Sequence, residues 1–524
     1  MGQKTVNVIG AGLAGLAAAI TLAEKGVKCN LISSFPSERA QSVLAEGGIN
    51  AALDTMGEGD SVGEHFNDTM SGGRFIESER AVAALTANAP AIVEKLVRLG
   101  VPFNSENGRL ILRGFGGQKK KRTAFAKSST GKMIMTALID EARRYEAAGL
   151  IDRFSHHSLA GIDTADGKLR SVTVLDGYTG RAYRITGSAV LCTGGLNGFF
   201  KGLTTGTSQN TGDAAALCFA AGARFADLEF IQYHPTTVPV SGKRLLISEA
   251  ARGEGGRLFI TRGGRPWYFM EEKYPSHGNL MPRDVVSREI EAALSSGECE
   301  GGVFLDMTGI PGEVWEKRLS DMRGEIISYL GTDPASSPVP IIPGIHFFMG
   351  GVRVNARHES SVESLFAAGE AACRYHGANR LGGNSMLAAL FGGRTAAESA
   401  AESAGDAAMT ETQFDATMPS PSENAYIRDV LAGALGIVRT GEKLRRADAA
   451  MTGFMEGKSG LTRARAALAL AMIRSAEARK ESRGAHYRAD YPAEDDGFRS
   501  MSVAYYDGKN VSVGFAPADG ENNV

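Results

Sequence analysis

Thr5-Val6-Asn7-Val8-Ile9-Gly10-Ala11-Gly12-Leu13-Ala14-Gly15 is the stretch that decides the fold. Residues 5–9 suit a buried strand and run straight into three glycines spaced as GxGxxG. An Ala- and Leu-rich segment then continues to about Lys25 with helical character, and residues 27–32 read as a second strand. This is the βαβ opening of a doubly wound, Rossmann-like α/β sheet. Gly10 permits the tight turn, Gly12 lets the backbone approach a pyrophosphate, and Gly15 lets helix and strand pack closely. The first turn of the helix offers free N–H groups and a positive dipole to a phosphate. Glycine-rich turns match this spacing by chance; the strand before and the helix after are what give it weight.

Bulk properties narrow the class. A chain of 524 residues exceeds one compact core. With 43% hydrophobic and 22% charged residues it is an ordinary globular sequence. A net charge of −2 gives no reason to expect nucleic acid as a partner, so an anionic substrate must be drawn by a local group of cations. The cysteines, Cys29, Cys192, Cys218, Cys299 and Cys373, form no CxxC pair, so no metal, iron–sulfur or haem site is read within the chain. Their scatter suits a reducing compartment. No run approaches ~20 apolar residues and no signal-peptide pattern opens the chain, so a soluble, cytoplasmic protein without a membrane span is expected.

Further along, residues 77–100 and 130–149 are helical by periodicity, and Met133 and Met135 read as helix core. Residues 172–176 and 182–186 read as an antiparallel hairpin, and residues 189–192 as a buried strand ending at Thr193-Gly194-Gly195. From about 230 to 343 short helices alternate with Gly, Pro and charged residues, the texture of an inserted α+β capping domain. The expected organisation is therefore a nucleotide-binding domain from 1–229 and 344–408, a cap over 230–343, a helical domain over 409–490 and a C-terminal tail over 491–524, with 409–421 as linker. Lys119-Lys120-Lys121-Arg122 reads as a solvated basic loop, in preference to a docking patch for an electron partner.

The nucleotide site has two unusual features. An acidic ribose ligand is expected after the second strand, where this chain has Ser33 and Ser34, which weakens a nicotinamide reading. Late in the chain Ala367-Ala368-Gly369-Glu370 repeats the strand-then-glycine pattern and supplies a carboxylate for sugar hydroxyls, as in two-part FAD domains.

A resemblance now becomes specific. Residues 31–37, Ser42-Val43, Ala45-Glu46-Gly47-Gly48-Ile49, Asn210-Thr211-Gly212-Asp213, residues 376–385, 479–486 and Asp490-Tyr491-Pro492 resemble the flavoprotein subunits of succinate dehydrogenase and fumarate reductase over about residues 5–495. The resemblance implies FAD, held by Gly10, Ala11, Gly12, Gly15, Ser33, Ser42, Glu46, Gly47, Gly48, Asp213, Glu370, Arg380, Ser385, Met386 and Leu387. Members with covalent flavin carry a histidine where this chain has Gln41, and an amide cannot form that bond, so noncovalent FAD is expected, with a bias towards reduction. Glu46 stands where the family usually has Gln; a carboxylate there disfavours an anionic reduced flavin unless it is neutralised.

The same resemblance implies a dicarboxylate cage of His234, Ser248, His346 and Arg380, with Ser248 in place of the usual Thr. The chemistry suits it: fumarate brings two carboxylates that need cationic or neutral donors once buried, and Arg380 offers a bidentate fork. Arg283 is implied as the proton donor, supplied through Glu249 and Arg252, which would share a helix face at a spacing of three. Taken singly, an Arg or Glu is more often a surface ion pair and a His a satisfied polar residue; the set in family order carries the reading.

The expected reaction is hydride and proton transfer between FAD and fumarate or succinate. Alternatives are L-aspartate oxidase, a reductase of another substituted acrylate, and a non-catalytic flavin subunit. Gly382-Gly383 leans away from the aspartate oxidases, and a silent scaffold has no need of a cage. With no redox metal motif in the chain, electrons are expected from an iron–sulfur subunit or a small carrier.

Overall fold

The computed structural model describes residues 4–414 and 417–519. Parts of the expected linker and tail, residues 415–416 and 520–524, lie outside the described residues. Its central sheet has five parallel strands, Leu365–Ala367, Ala189–Leu191, Lys4–Ile9, Lys28–Ser33 and Ile151–Ser155 in that spatial order, and a short antiparallel one, Gly405–Asp406, at the start of Lys4–Ile9. Val6, Val8, Leu31 and Val190 are fully buried, as strands covered on both faces require. Helix Leu13–Glu24 lies against helix Asn384–Glu402, an approach that Gly393 permits: a Cβ there would stand 2.3 Å from Ala14 O. The first and last parts of the nucleotide fold are thereby locked together.

The cap is an antiparallel sheet ordered Lys243–Leu246, Ile231–Val240, Val339–Phe348, Glu300–Asp306, Arg257–Arg262 and Arg265–Trp267. It has its own core around Ile247, Leu258, Ile260, Trp315 and Ile326, with helices Arg283–Ser295 and Ser320–Leu330 packed on it. The expected boundary between 343 and 344 falls inside strand Val339–Phe348, because that strand carries His346 from the cap sheet towards the nucleotide side. Helices Pro421–Ala434, Gly441–Met455 and Gly460–Ala478 form the C-terminal helical group; the first opens with a Ser420/Glu423 capping box and Pro421 at its first turn.

Three expectations need correction. Residues 491–524 are not a plain tail: Met501–Tyr506 and Val511–Ala516 form a hairpin that adds to Phe225–Ala226. In the linker, Met409–Thr412 pairs with Ala182–Thr186 and extends the sheet of that hairpin. The basic run is a solvated loop only in part: Lys119 and Lys121 are exposed, but the last residue is not. Arg122 is 0% exposed and pairs with Asp60 at 2.9 Å and Asp68 at 2.6 Å, while Lys121 meets Glu58 at 3.1 Å. Buried acids that come from 54 and 62 residues away neutralise it.

The C-terminal segment is anchored by ions. Arg479, fully buried, pairs with Glu229 at 2.6 Å and Glu481 at 3.0 Å. Arg439 donates to the Glu229 carbonyl at 2.7 Å. Among the described residues no helix is long and apolar enough to cross a membrane.

Candidate active site

A continuous cavity of about 710 Å3 runs from the N-terminus of helix Leu13–Glu24 to the cap. The glycine turn forms one end. Gly10 has φ +107°, and a Cβ on it would lie 2.2 Å from Cys192 O, so only glycine fits. Gly15 is set back from the cavity, where a Cβ would meet Gly10 O at 1.8 Å; its task is helix–turn packing. The helix has no side-chain cap at Gly12, while Leu13 N–H donates to Ser42 Oγ at 3.2 Å. Gly10, Ala11, Gly12, Ser33, Ser42, Glu46, Gly47 and Gly48 all line the wall. An open helix N-terminus beside glycines that leave no room for a side chain fits a pyrophosphate, so these residues suit a dinucleotide.

The opposite wall comes from the far end of the chain. Glu370 is half-buried and accepts the Phe348 N–H at 3.0 Å. Burial raises its pKa to about 7, against that N–H and Arg380. Ser385 and Met386 line the cavity at the start of helix Asn384–Glu402. Leu387 does not: it is fully buried in the core beneath the helix, which corrects its expected cofactor role. Asp213 lines the wall but is engaged by the buried Arg465 guanidinium of helix Gly460–Ala478.

The loop at 45–48 is rigid for a visible reason. Arg113, stacked 4.2 Å over Phe125, donates to the Glu46 carbonyl at 3.1 Å and through Nε to the Gly47 carbonyl at 3.0 Å. Glu46 is half-buried, and its Oε2, which is buried, has no hydrogen-bond partner among the described residues. Burial, followed by the charge of Glu325, raises its pKa to about 8, so it holds a proton at neutral pH. Gln41 accepts the Thr207 N–H at 2.5 Å.

At the cap end the residues of the expected cage meet. His234 and His346 have ring centroids 5.1 Å apart. Burial, then the nearby Arg283, lowers both pKa values well below the usual range, so both rings are neutral. Nδ1 of His234 lies 3.3 Å from the N–H, the carbonyl and the hydroxyl of Thr236, which fix the ring with its Nε2 edge free. Thr205, which the sequence did not single out, fixes His346 through a 2.8 Å contact to Nδ1. Ser248, Glu249, Arg283, His346 and Arg380 all line the cavity.

Arg283 opens helix Arg283–Ser295 and donates through Nε to Glu249 at 2.8 Å. Glu249 also accepts the Gly116 N–H at 2.7 Å and lies 4.0 Å from Arg252. Burial raises the pKa of Glu249, but Arg283 and Arg252 outweigh it and the net shift is downward, so the group is an anion. Arg252 is set behind, off the cavity, and donates to Asn279 O at 2.5 Å. Arg380 is buried, stacked 4.5 Å over Phe347, and burial followed by Arg283 lowers its pKa to about 9.

Gln232 was missed from sequence although it joins the two arginines. Its Oε1 accepts from Arg283 Nη1 and from Arg380 Nη2, each at 3.0 Å, while its amide N–H groups bind Asn379 Oδ1 and Arg380 O, each at 2.8 Å. The charges are also telling. Arg252, Arg283 and Arg380 bring three positive charges and Glu249 one negative, which leaves two for an incoming ligand.

Comparison with known proteins agrees with this geometry. The family described as FAD binding domain matches residues 5–386, and that described as fumarate reductase flavoprotein C-term matches residues 458–523. The chain is 37% identical to the succinate dehydrogenase flavoprotein subunit of Bacillus subtilis, over 95% of this chain and 92% of that protein. It is 36% identical to an L-aspartate oxidase of Mesorhizobium japonicum, over 93% and 92%. A solved structure of E. coli quinol fumarate reductase FrdA superposes with a TM-score of 0.86 at 28% identity, covering 99% of this chain and 97% of that one. The chain is an FAD-dependent oxidoreductase and belongs to the succinate dehydrogenase/fumarate reductase flavoprotein family.

Proposed function

We propose that the protein reduces fumarate to succinate, or runs the reverse reaction, in a cavity shared with FAD and closed by the cap. The observation that carries this reading is the convergence of Arg283 and Arg380 on Gln232 beside two neutral histidines, with two positive charges left over. A small diacid supplies two negative ones. Arg380 and His346 hold one carboxylate, and His234 and Ser248 the other. Bound FAD supplies the hydride for one alkene carbon. Arg283 delivers the proton to the other carbon and is reprotonated through the Glu249 carboxylate, 2.8 Å from its Nε, which relays a proton taken up from solvent by way of Arg252. The guanidinium also stabilises the negative charge that develops before protonation. The tight Glu249 pair fixes the Nε edge and leaves Nη1 and Nη2 to face substrate and Gln232.

The relatives named as flavoprotein subunits support an electron partner, an iron–sulfur protein or a small carrier. Gln41 in place of a linking histidine supports noncovalent FAD and a reductive bias. The aspartate oxidase reading needs an acceptor for ammonium. Burial keeps Glu46 protonated to about pH 8 and Arg283 already occupies Glu249, which favours the diacid.

The test has two arms. The chemically reduced protein is titrated with fumarate under anaerobic conditions and, separately, the oxidised protein is assayed in air for aspartate-dependent peroxide. Rapid flavin reoxidation by fumarate is expected, and its loss in Arg283→Ala and Arg283→Lys with FAD retained. Near-normal fumarate turnover in either variant removes Arg283 as the donor; peroxide formation with aspartate in place of fumarate turnover transfers the assignment to the oxidase.

A further inference from the structure

Arg244 is a cation that the reading above leaves without a task. It sits on strand Lys243–Leu246, the edge of the cap sheet, and its side chain lines the same cavity as His346, Ser248 and Arg283. Its Nε and Nη1 atoms are buried and meet no hydrogen-bond partner among the described residues. Burial lowers its pKa, and no acidic neighbour opposes the shift. The guanidinium is only partly buried, yet two of its three nitrogens lack a partner.

The surroundings are built to hold it. Its backbone N–H donates to Thr204 O at 3.0 Å, next to the Thr205 that orients His346. Opposite lies Gly344, two residues before His346, where a Cβ would stand 3.1 Å from Arg244 Cγ and 2.8 Å from Thr237 Oγ1. A side chain at 344 would crowd Thr237 and press on the arginine stem. Arg244 does not share the Gln232 acceptor that gathers Arg283 and Arg380. It therefore adds positive charge on a separate wall, beyond the two charges that a plain diacid neutralises.

We propose that Arg244 is a specificity-determining residue that binds a third acidic group, so that the site takes acids carrying one more anionic substituent than fumarate or succinate. This rests on the diacid reading of the cage. Such a group would bring the partner that Nε and Nη1 lack, through charge-assisted hydrogen bonds.

The experiment uses the FAD-loaded protein and two probes, succinate and propane-1,2,3-tricarboxylate, with binding read from the perturbation of flavin absorbance. The expected result is that Arg244→Met weakens the triacid at least ten-fold more than the diacid, and that Arg244→Lys recovers part of that difference by keeping the charge. Equal weakening of both acids, or no change in either, overturns the proposal. If neither acid perturbs the flavin of the unaltered protein, the diacid reading itself fails. If succinate binds and the triacid does not, only the role of Arg244 fails. Flavin content of each variant separates a folding defect from a binding one, with Arg244→Gln as the second charge-removing variant.

Discussion

Arg283, from the cap, and Arg380, from the nucleotide fold, donate to the same oxygen, Gln232 Oε1, at 3.0 Å each. Two like charges that share one neutral acceptor are held together against their repulsion, with Glu249 paired to only one of them. The arrangement is preorganised for an anionic ligand.

Gln232→Met removes that acceptor while keeping similar bulk. Each charge-assisted bond lost is worth about 1.5–3 kcal/mol. KM for fumarate is expected to rise at least ten-fold, with a smaller fall in kcat, because Arg283 keeps its Glu249 contact. Steady-state kinetics decide it; an unchanged KM would show that the two arginines need no common tether.

Gly116→Ala tests the position of Glu249 without touching its charge. The added methyl would stand 2.7 Å from Glu249 Oε1 and 3.0 Å from Leu280 O. Displacing the carboxylate from Arg283 should lower kcat about 100-fold, the scale of a lost proton-transfer contribution, with FAD content preserved. Normal turnover would detach Glu249 from the proton route.

The Glu46 carboxyl makes stability depend on pH. Its pKa is about 8 in the folded protein against 4.5 as the reference value, so between those values the folded state holds a proton that the unfolded state has released. Stability therefore falls as pH rises through that window, by at most about 1.4 kcal/mol per pH unit. Glu46→Gln should melt higher than the parent at pH 9 and show little difference near pH 4.5. The same melting difference at both values would contradict this origin.

Gln41 predicts extractable flavin. Acid precipitation should leave the yellow colour in the supernatant, and a denaturing gel should show no flavin fluorescence on the protein band. Fluorescence that stays with the band would mean attachment at another residue.

What could be read from sequence was what is local. Gly10, Gly12 and Gly15 act within one turn, so spacing alone conveys their task. Gln232 acts on Arg380 from 148 residues away and Thr205 on His346 from 141, and nothing in their own neighbourhoods marks them. Arg122 was misread because a run of cations says nothing of Asp60 and Asp68, which close around it in the fold. Leu387 was misassigned although helical periodicity separates it from Ser385 and Met386: one step further round the helix points it into the core. The terminal hairpin did leave a signal, an Asp507-Gly508 turn between two stretches rich in Val, Tyr and Phe, that the polar texture of the tail obscured.

Strand Ala189–Leu191 is flanked by Lys4–Ile9 on one side and Leu365–Ala367 on the other. On the ribosome the second neighbour does not exist until the intervening residues 192–364 have been made. At about 5–20 residues per second, a bare hydrophobic edge waits for roughly ten to thirty seconds. Such an edge is a template for pairing with another nascent chain. Yield of this protein should therefore be governed by how crowded its polysomes are and by chaperone supply, more than by the stability of the finished fold.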